Sequence, residues 1–345
     1  LTHATPAAFA SHNESRNNEN EIAEDFLNSG VDFFAGGGVR HFIPKSMKKP
    51  NADAVGATIK SKRKDERNLV DEFAKKGYKT YMGMEGARQF KKDNFSRIDK
   101  VFAAFTYTHM PYEIERMNLY PEAPSISEMT AAAIDVLSKD RDGFFLMVEG
   151  GRIDHAAHAN DPTGVIHDTI AFDNAVKVAY DFLQKHQNDT LIVVVGDHET
   201  GGMGLGLDSK GYKLEMGSLM DTKISVEDTL TWGSGKYEGD KAKYLRILES
   251  QFGLTNLTAE EKAMLNQAMA DADAGKTMGY YKVNPAALTA AHILSSRANI
   301  HWTTTIHTAT MIPMSATGIG SEKFSGYKDN TVIAKTMADL LGFRL

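Results

Sequence analysis

Cysteine is absent from the 345 residues, which excludes disulfides, thiolate metal ligands and a cysteine nucleophile while leaving the compartment open. No apolar run approaches the ~18 residues of a membrane span. Basic charge is not in excess either: 39 Lys and Arg stand against 45 Asp and Glu, a formal net charge of −6. That balance argues against a nucleic-acid scaffold, although acidic proteins can carry local basic patches. Repeats and low-complexity tracts are not evident. What is present is ordinary globular composition, 42% hydrophobic and 24% charged. The length suits one large α/β domain or a domain with an insertion. Leu1 is followed at once by Thr2-His3-Ala4-Thr5-Pro6, with neither an initiator methionine nor a signal region. The sequence therefore reads as though it starts within a domain.

Strand-like apolar runs alternate with amphipathic helical runs, the pattern of a parallel sheet covered by helices. Residues 32–35 read as a strand ending in the loop Gly36-Gly37-Gly38, and 100–106 as another. A helix is expected over 67–76, closed by Gly77, and one after the capping box of Ser125 and Glu128. Residues 143–148 and 191–195 read as buried strands joined by a long amphipathic helix over 165–183. A last strand over 308–314 and a closing helix over 331–341 complete the pattern. Residues 205–300 interrupt the rhythm with glycine-rich turns and a polar helical run over 258–272. They are either a surface decoration or a cap at the site entrance or a subunit contact.

The most informative stretch is Glu149-Gly150-Gly151-Arg152-Ile153-Asp154-His155-Ala156-Ala157-His158. The preceding apolar run delivers Glu149 to a strand's carboxyl end, where open α/β sheets place their sites. If the chain then turns helical, Asp154 and His158 share one face as i and i+4. A carboxylate and an imidazole so placed can grip zinc, and Glu149 is near enough to serve an adjacent hard cation. An isolated pair of this kind is more often a surface feature, but two glycines and a strand-end glutamate favour a site. Asp197-His198-Glu199-Thr200-Gly201-Gly202 forms a second acid–histidine cluster after the apolar 191–195 run. Polar residues there cost desolvation unless satisfied, by a metal or by a helix cap and a hydrogen-bonded histidine. His307, Thr5 and Arg16 are unremarkable in isolation. His41, His109 and His186 have no partners at useful spacing and read as surface or core residues.

Together these pieces resemble the alkaline phosphatase family. His3-Ala4-Thr5-Pro6-Ala7-Ala8-Phe9 with Arg16 is similar to its threonine-proline segment and phosphate-binding arginine. The Glu149 to His158 stretch is similar to its central metal motif, in the form seen in animal members. The Asp197 to Gly202 stretch is similar to its second-zinc motif, and His307 sits where a last zinc histidine belongs. Phe33 to Gly38 and Tyr112-Glu113-Ile114-Glu115 also resemble family segments. The likeness covers residues 2–206 and 301–345, which divides the chain into a catalytic α/β domain of 1–204 with 301–345 and an insertion of 205–300.

The resemblance implies a doubly wound, largely parallel sheet flanked by helices, with the insertion as a crown or cap. It implies a phosphomonoester hydrolase that uses two zinc ions, one magnesium ion and a phosphoserine intermediate. Asp154, His158 and His307 would hold one zinc; Asp197 and His198 would hold the other. Thr5 and Glu149 would hold magnesium, Arg16 would clamp phosphate, and His3 and His155 match second-shell positions. Phosphate monoesters and inorganic phosphate are the expected ligands, with a homodimer and a periplasmic or extracellular location. The family's Asp-Ser nucleophile and bridging aspartate are absent, and Asp208-Ser209 cannot substitute from within the insertion. Both are therefore expected upstream of Leu1, on a strand and a helix N-terminus. The acids of an additional animal calcium site align with Thr106 and Ala123, so that ion is not expected. Alternatives are a phosphodiesterase or phosphonate hydrolase or mutase of the same superfamily, or a non-catalytic metal- or phosphate-binding protein if the chain is complete.

Overall fold

The computed structural model describes residues 1–49, 59–206 and 211–344. Asp208 and Ser209 lie outside the described residues. The fold is α/β. Three short strands form a parallel sheet, with Val101–Ala104 between Phe33–Gly36 and Lys79–Met82. Phe33 and Lys79 both pair in register with Val101. Side chains of Val101–Ala104 are buried on both faces, as a central parallel strand requires. One face packs Phe34, Phe42, Phe73 and Phe102 into an aromatic cluster, in which Phe73 and Phe102 stack with centroids 4.1 Å apart. The other carries Tyr81, Phe90, Phe95 and Phe105.

Local signals account for the helices. Asn68 caps Leu69–Lys75 through the Asp71 amide, and Gly77 supplies a φ of +88° just beyond its end. Ser125 and Glu128 form the expected capping box on Ile126–Leu137. Asp161 starts the long helix Pro162–Leu183, with proline at a position that needs no amide hydrogen. The helix Arg152–His158 packs against it.

Three strand expectations need correction. Residues 143–148 take no regular secondary structure and pair with no strand among the described residues. They border a cavity of about 810 Å³ that also reaches the Phe33–Gly36 strand, and Phe145 is 47% exposed. Apolar content alone could not reveal that this run lacks a neighbour. Leu191–Val195 is a strand but only half-buried, because its sole partner among the described strands is the antiparallel Met314–Gly318. The run over 308–314 is two strands, His307–Thr308 and Met314–Gly318. Pro313 lies in the break, where it has no amide hydrogen for a ladder.

Residues 219–300 supply most of a second core, which also takes in Ala159. Leu230, Tyr244, Leu248, Phe252, Leu265 and Leu294 are all buried within it. Its ends are joined where Met203–Leu205 pairs antiparallel with Ile300–Trp302. A buried polar seam ties it to the rest. Glu115 accepts from the Ser225 amide and from the hydroxyls of Ser225 and Thr229, at 2.9, 2.7 and 2.6 Å. Asp161 accepts from the Val226 amide at 2.9 Å.

Candidate metal centre

The Arg152–His158 helix sets Asp154 and His158 on one face, with Asp154 Oδ1 3.4 Å from His158 Nε2. Burial of His158 would be costly without partners, and it has two. Its Nδ1 lies 2.6 Å from the Thr305 carbonyl and its Nε2 3.2 Å from His307 Nε2. A carbonyl accepts only, so Nδ1 carries the proton and Nε2 presents its lone pair. That is the tautomer a metal ligand needs.

The second cluster arrives on a tight turn. Glu199–Thr200 pairs antiparallel with His307–Thr308, which places His307 across from Thr200. Gly201 and Gly202 then turn with φ of +86° and +58°. A Cβ at Gly202 would fall 1.8 Å from Thr303 Oγ1, so a side chain is excluded there. The turn stacks His198 on His307 with centroids 3.6 Å apart and holds Asp197 Oδ2 3.3 Å from His198 Nε2. Asp154, His198 and His307 each offer a ligand atom within 4.8 Å of the others. Burial and the neighbouring His198 push the His307 pKa below its ordinary value. Two carboxylates and three imidazoles thus gather without a lysine or arginine among them, a donor set that suits zinc.

Glu149 lies to one side, with the Thr5 hydroxyl beside it. Burial raises its pKa, the Thr5 hydroxyl opposes that, and the Asp197 charge adds to it. Oxygen donors of this type suit a hard cation. Arg16 sits beside His3, with Nη2 3.1 Å from His3 Nε2. Burial, then the charges of His155 and Arg16, push the His3 pKa down to about 4.

Several residues here escaped the sequence reading. Thr200 donates to Asp154 Oδ1 at 2.6 Å and lies 3.2 Å from His198 Nδ1, bridging the two acid–histidine clusters. Tyr280 stacks on His158 with centroids 4.9 Å apart, and Tyr281 on His155 at 5.1 Å. Glu227 bonds His155 Nδ1 at 3.1 Å. Thr200 lies inside the Asp197 to Gly202 motif, but its role comes from contacts across the fold, and the others have no fixed spacing from a motif. His109, read as a surface or core residue, has ring neighbours in His3 and His155. His41 and His186 lie elsewhere with partners of their own, Glu19 and Phe182.

The match to known proteins runs along the chain. A family model described as alkaline phosphatase matches residues 1–343. Alkaline phosphatase 3 of Bacillus subtilis (strain 168) is 33% identical over 353 residues, covering 100% of this chain and 67% of that protein. The crystal structure of Thermus thermophilus alkaline phosphatase is similar with a TM-score of 0.77 and 30% identity, covering 100% of this chain and 69% of that one. A histidine-to-aspartate variant of TAB5 alkaline phosphatase, with magnesium bound in its M3 site, is similar with a TM-score of 0.60 and 25% identity. It covers 100% of this chain and 70% of that one. This chain thus spans roughly two thirds of the length of these relatives.

Proposed function

The chain belongs to the alkaline phosphatase family, and from that premise we propose that its acid–histidine centre serves the hydrolysis of phosphate monoesters. The observation that carries the reading is the meeting of Asp154, His198 and His307, from a helix, a turn and a strand, within 4.8 Å. Asp154, His158 and His307 would hold one zinc ion, and Asp197 with His198 a second. Thr5 and Glu149 would hold magnesium, which the TAB5 variant also binds. When bound, a zinc pair supplies Lewis-acid stabilisation for the attacking and leaving oxygens of an in-line displacement.

The chain's own residues do the positioning. Arg16 offers a planar fork of donors to the non-bridging oxygens of phosphate, geometry a lysine lacks. Thr305 and Thr200 hold His158 and Asp154 in ligating orientation. His3 and His155 would tune the phosphate and the water around the metals. A phosphoserine intermediate, a periplasmic or extracellular location and a homodimer belong to the same reading. No helix among the described residues is long and apolar enough to cross a membrane.

Elemental analysis of active protein should find about two zinc ions and one magnesium ion per chain. The kcat/KM for p-nitrophenyl phosphate should exceed that for the bis-p-nitrophenyl diester. Active protein without zinc, or a preference for the diester, overturns the reading.

A further inference from the structure

Three histidines from distant parts of the sequence meet at the wall of the large cavity. His3 precedes the helix Ala4–Ala10, His109 lies in the loop after Val101–Ala104, and His155 is on Arg152–His158. Ring centroids stand 5.2 Å apart for His3 and His109, 4.5 Å for His109 and His155, and 5.8 Å for His3 and His155. One ligand atom from each lies within 4.8 Å of the other two, and all three residues line the 810 Å³ cavity. We propose that His3, His109 and His155 form a tri-histidine site for a zinc-like transition-metal ion, separate from the centre at Asp154.

Neighbouring acceptors set the imidazole tautomers for ligation. His155 Nδ1 lies 3.1 Å from Glu227 Oε2, and donation to that carboxylate leaves Nε2 as the ligand atom. Such a carboxylate behind a histidine fixes its tautomer and raises its basicity. Glu227 is itself held by the Tyr112 hydroxyl at 2.5 Å and by Arg152 Nη1 at 3.2 Å. His109 Nδ1 lies 3.2 Å from Thr108 Oγ1, which can accept its proton and again leaves Nε2 available. His3 is the adjustable member. Arg16 donates to its Nε2 across an exposed contact, so metal capture there requires Arg16 to swing into solvent. Zn–N bonds of about 2.0–2.1 Å put tetrahedral ligand atoms about 3.4 Å apart, a short closure from the distances here. Three imidazoles leave the fourth position toward the cavity, for water or an oxyanion. Imidazole nitrogens suit zinc, cobalt or nickel, whereas calcium and magnesium prefer oxygen donors.

The site differs from the Asp154 centre in every ligand, and its test reads bound metal rather than turnover. Metal-free protein is loaded with cobalt(II), desalted, and its retained metal counted beside the visible d–d absorption. His109 belongs to no other ligand set, so His109→Ala should retain one cobalt fewer per chain and lose the matching absorption. His155→Ala should lose that same equivalent, and the double variant no further one. Asp154→Asn should instead lose an equivalent that His109→Ala keeps, so failure at one centre is told from failure at the other. Full retention of cobalt by both His109→Ala and His155→Ala overturns the proposal and leaves the three rings as a packing cluster.

Discussion

A single hydroxyl holds the two acid–histidine clusters in relation to each other. Thr200 is half of a two-residue strand segment, yet it donates to Asp154 at 2.6 Å and touches His198 at 3.2 Å. Thr200→Val keeps the shape and the β-branched strand preference while removing both contacts. Outer-shell changes of this kind typically cost about 10–100-fold in metal affinity or activity. Zinc titration of the variant should show a loss in that range with an unchanged circular dichroism spectrum; wild-type affinity would mean that Asp154 needs no such support. The ligand candidates themselves were legible because each pair sits inside a short motif. Asp154 with His158 follows from helical periodicity, and Asp197 with His198 from adjacency. Thr200, Glu227 and the tyrosines were not legible, because their roles arise from contacts between segments, 72 residues apart for His155 and Glu227.

Elements behave as their local chemistry dictates where that chemistry is self-contained. The capping box of Ser125 with Glu128 was read from the sequence, and the structure adds a second at Thr258 with Glu261, at the start of the polar run over 258–272. Strands depend on neighbours, which is why residues 143–148 read as a buried strand and are not one. Glu261 shows how a cap joins two elements. Besides accepting from the Thr258 amide at 2.8 Å, it forms a two-point pair with Arg297 of the helix Pro285–Ala298, at 2.8 and 2.7 Å. The hydrogen bond from Arg297 leads the other causes in holding its pKa down to about 2. A carboxyl lowered on folding stabilises above its unfolded pKa of about 4.3 and loses that contribution as pH falls through about 2. Glu261→Gln should therefore lower the Tm at pH 7, by the equivalent of ~1 kcal/mol or less since the pair is partly exposed. The gap to wild type should close between pH 5 and pH 2. Thermal scans across that range check it, and a gap independent of pH would place the effect in packing instead.

At the scale of the molecule, the cores around Phe102 and around Leu294 are joined through buried polar groups rather than by a continuous apolar interior. Arg152 is the hinge of that seam. It is buried, donates Nε to the Met110 carbonyl at 2.8 Å, and lies over the Tyr112 ring with its guanidinium carbon 4.2 Å from the centroid. Its two Nη atoms meet Glu227 and Asp228 on the π-helical turn Val226–Trp232. Burial pushes Glu227 up, but the His155 hydrogen bond, the Arg152 charge and the Tyr112 hydroxyl together draw its pKa down to about 2. Burial instead pushes the Asp228 carboxyl up to about 7 against the Arg152 charge. Removing the cation alone would leave the Glu227 carboxylate, and Asp228 where it is ionised, without their counter-charge, a change that costs about 3–5 kcal/mol in comparable buried pairs. Arg152→Met, close in volume and without charge, isolates that electrostatic loss from a cavity effect. Urea unfolding should show a drop of that order. Removing the two acids as well, in Arg152→Met with Glu227→Gln and Asp228→Asn, should recover a large part of it, because the amides carry no charge to strand. A triple variant no more stable than Arg152→Met would mean that the guanidinium acts through its contacts with Tyr112 and Met110. The seam would then be a packing joint and not an ionic one.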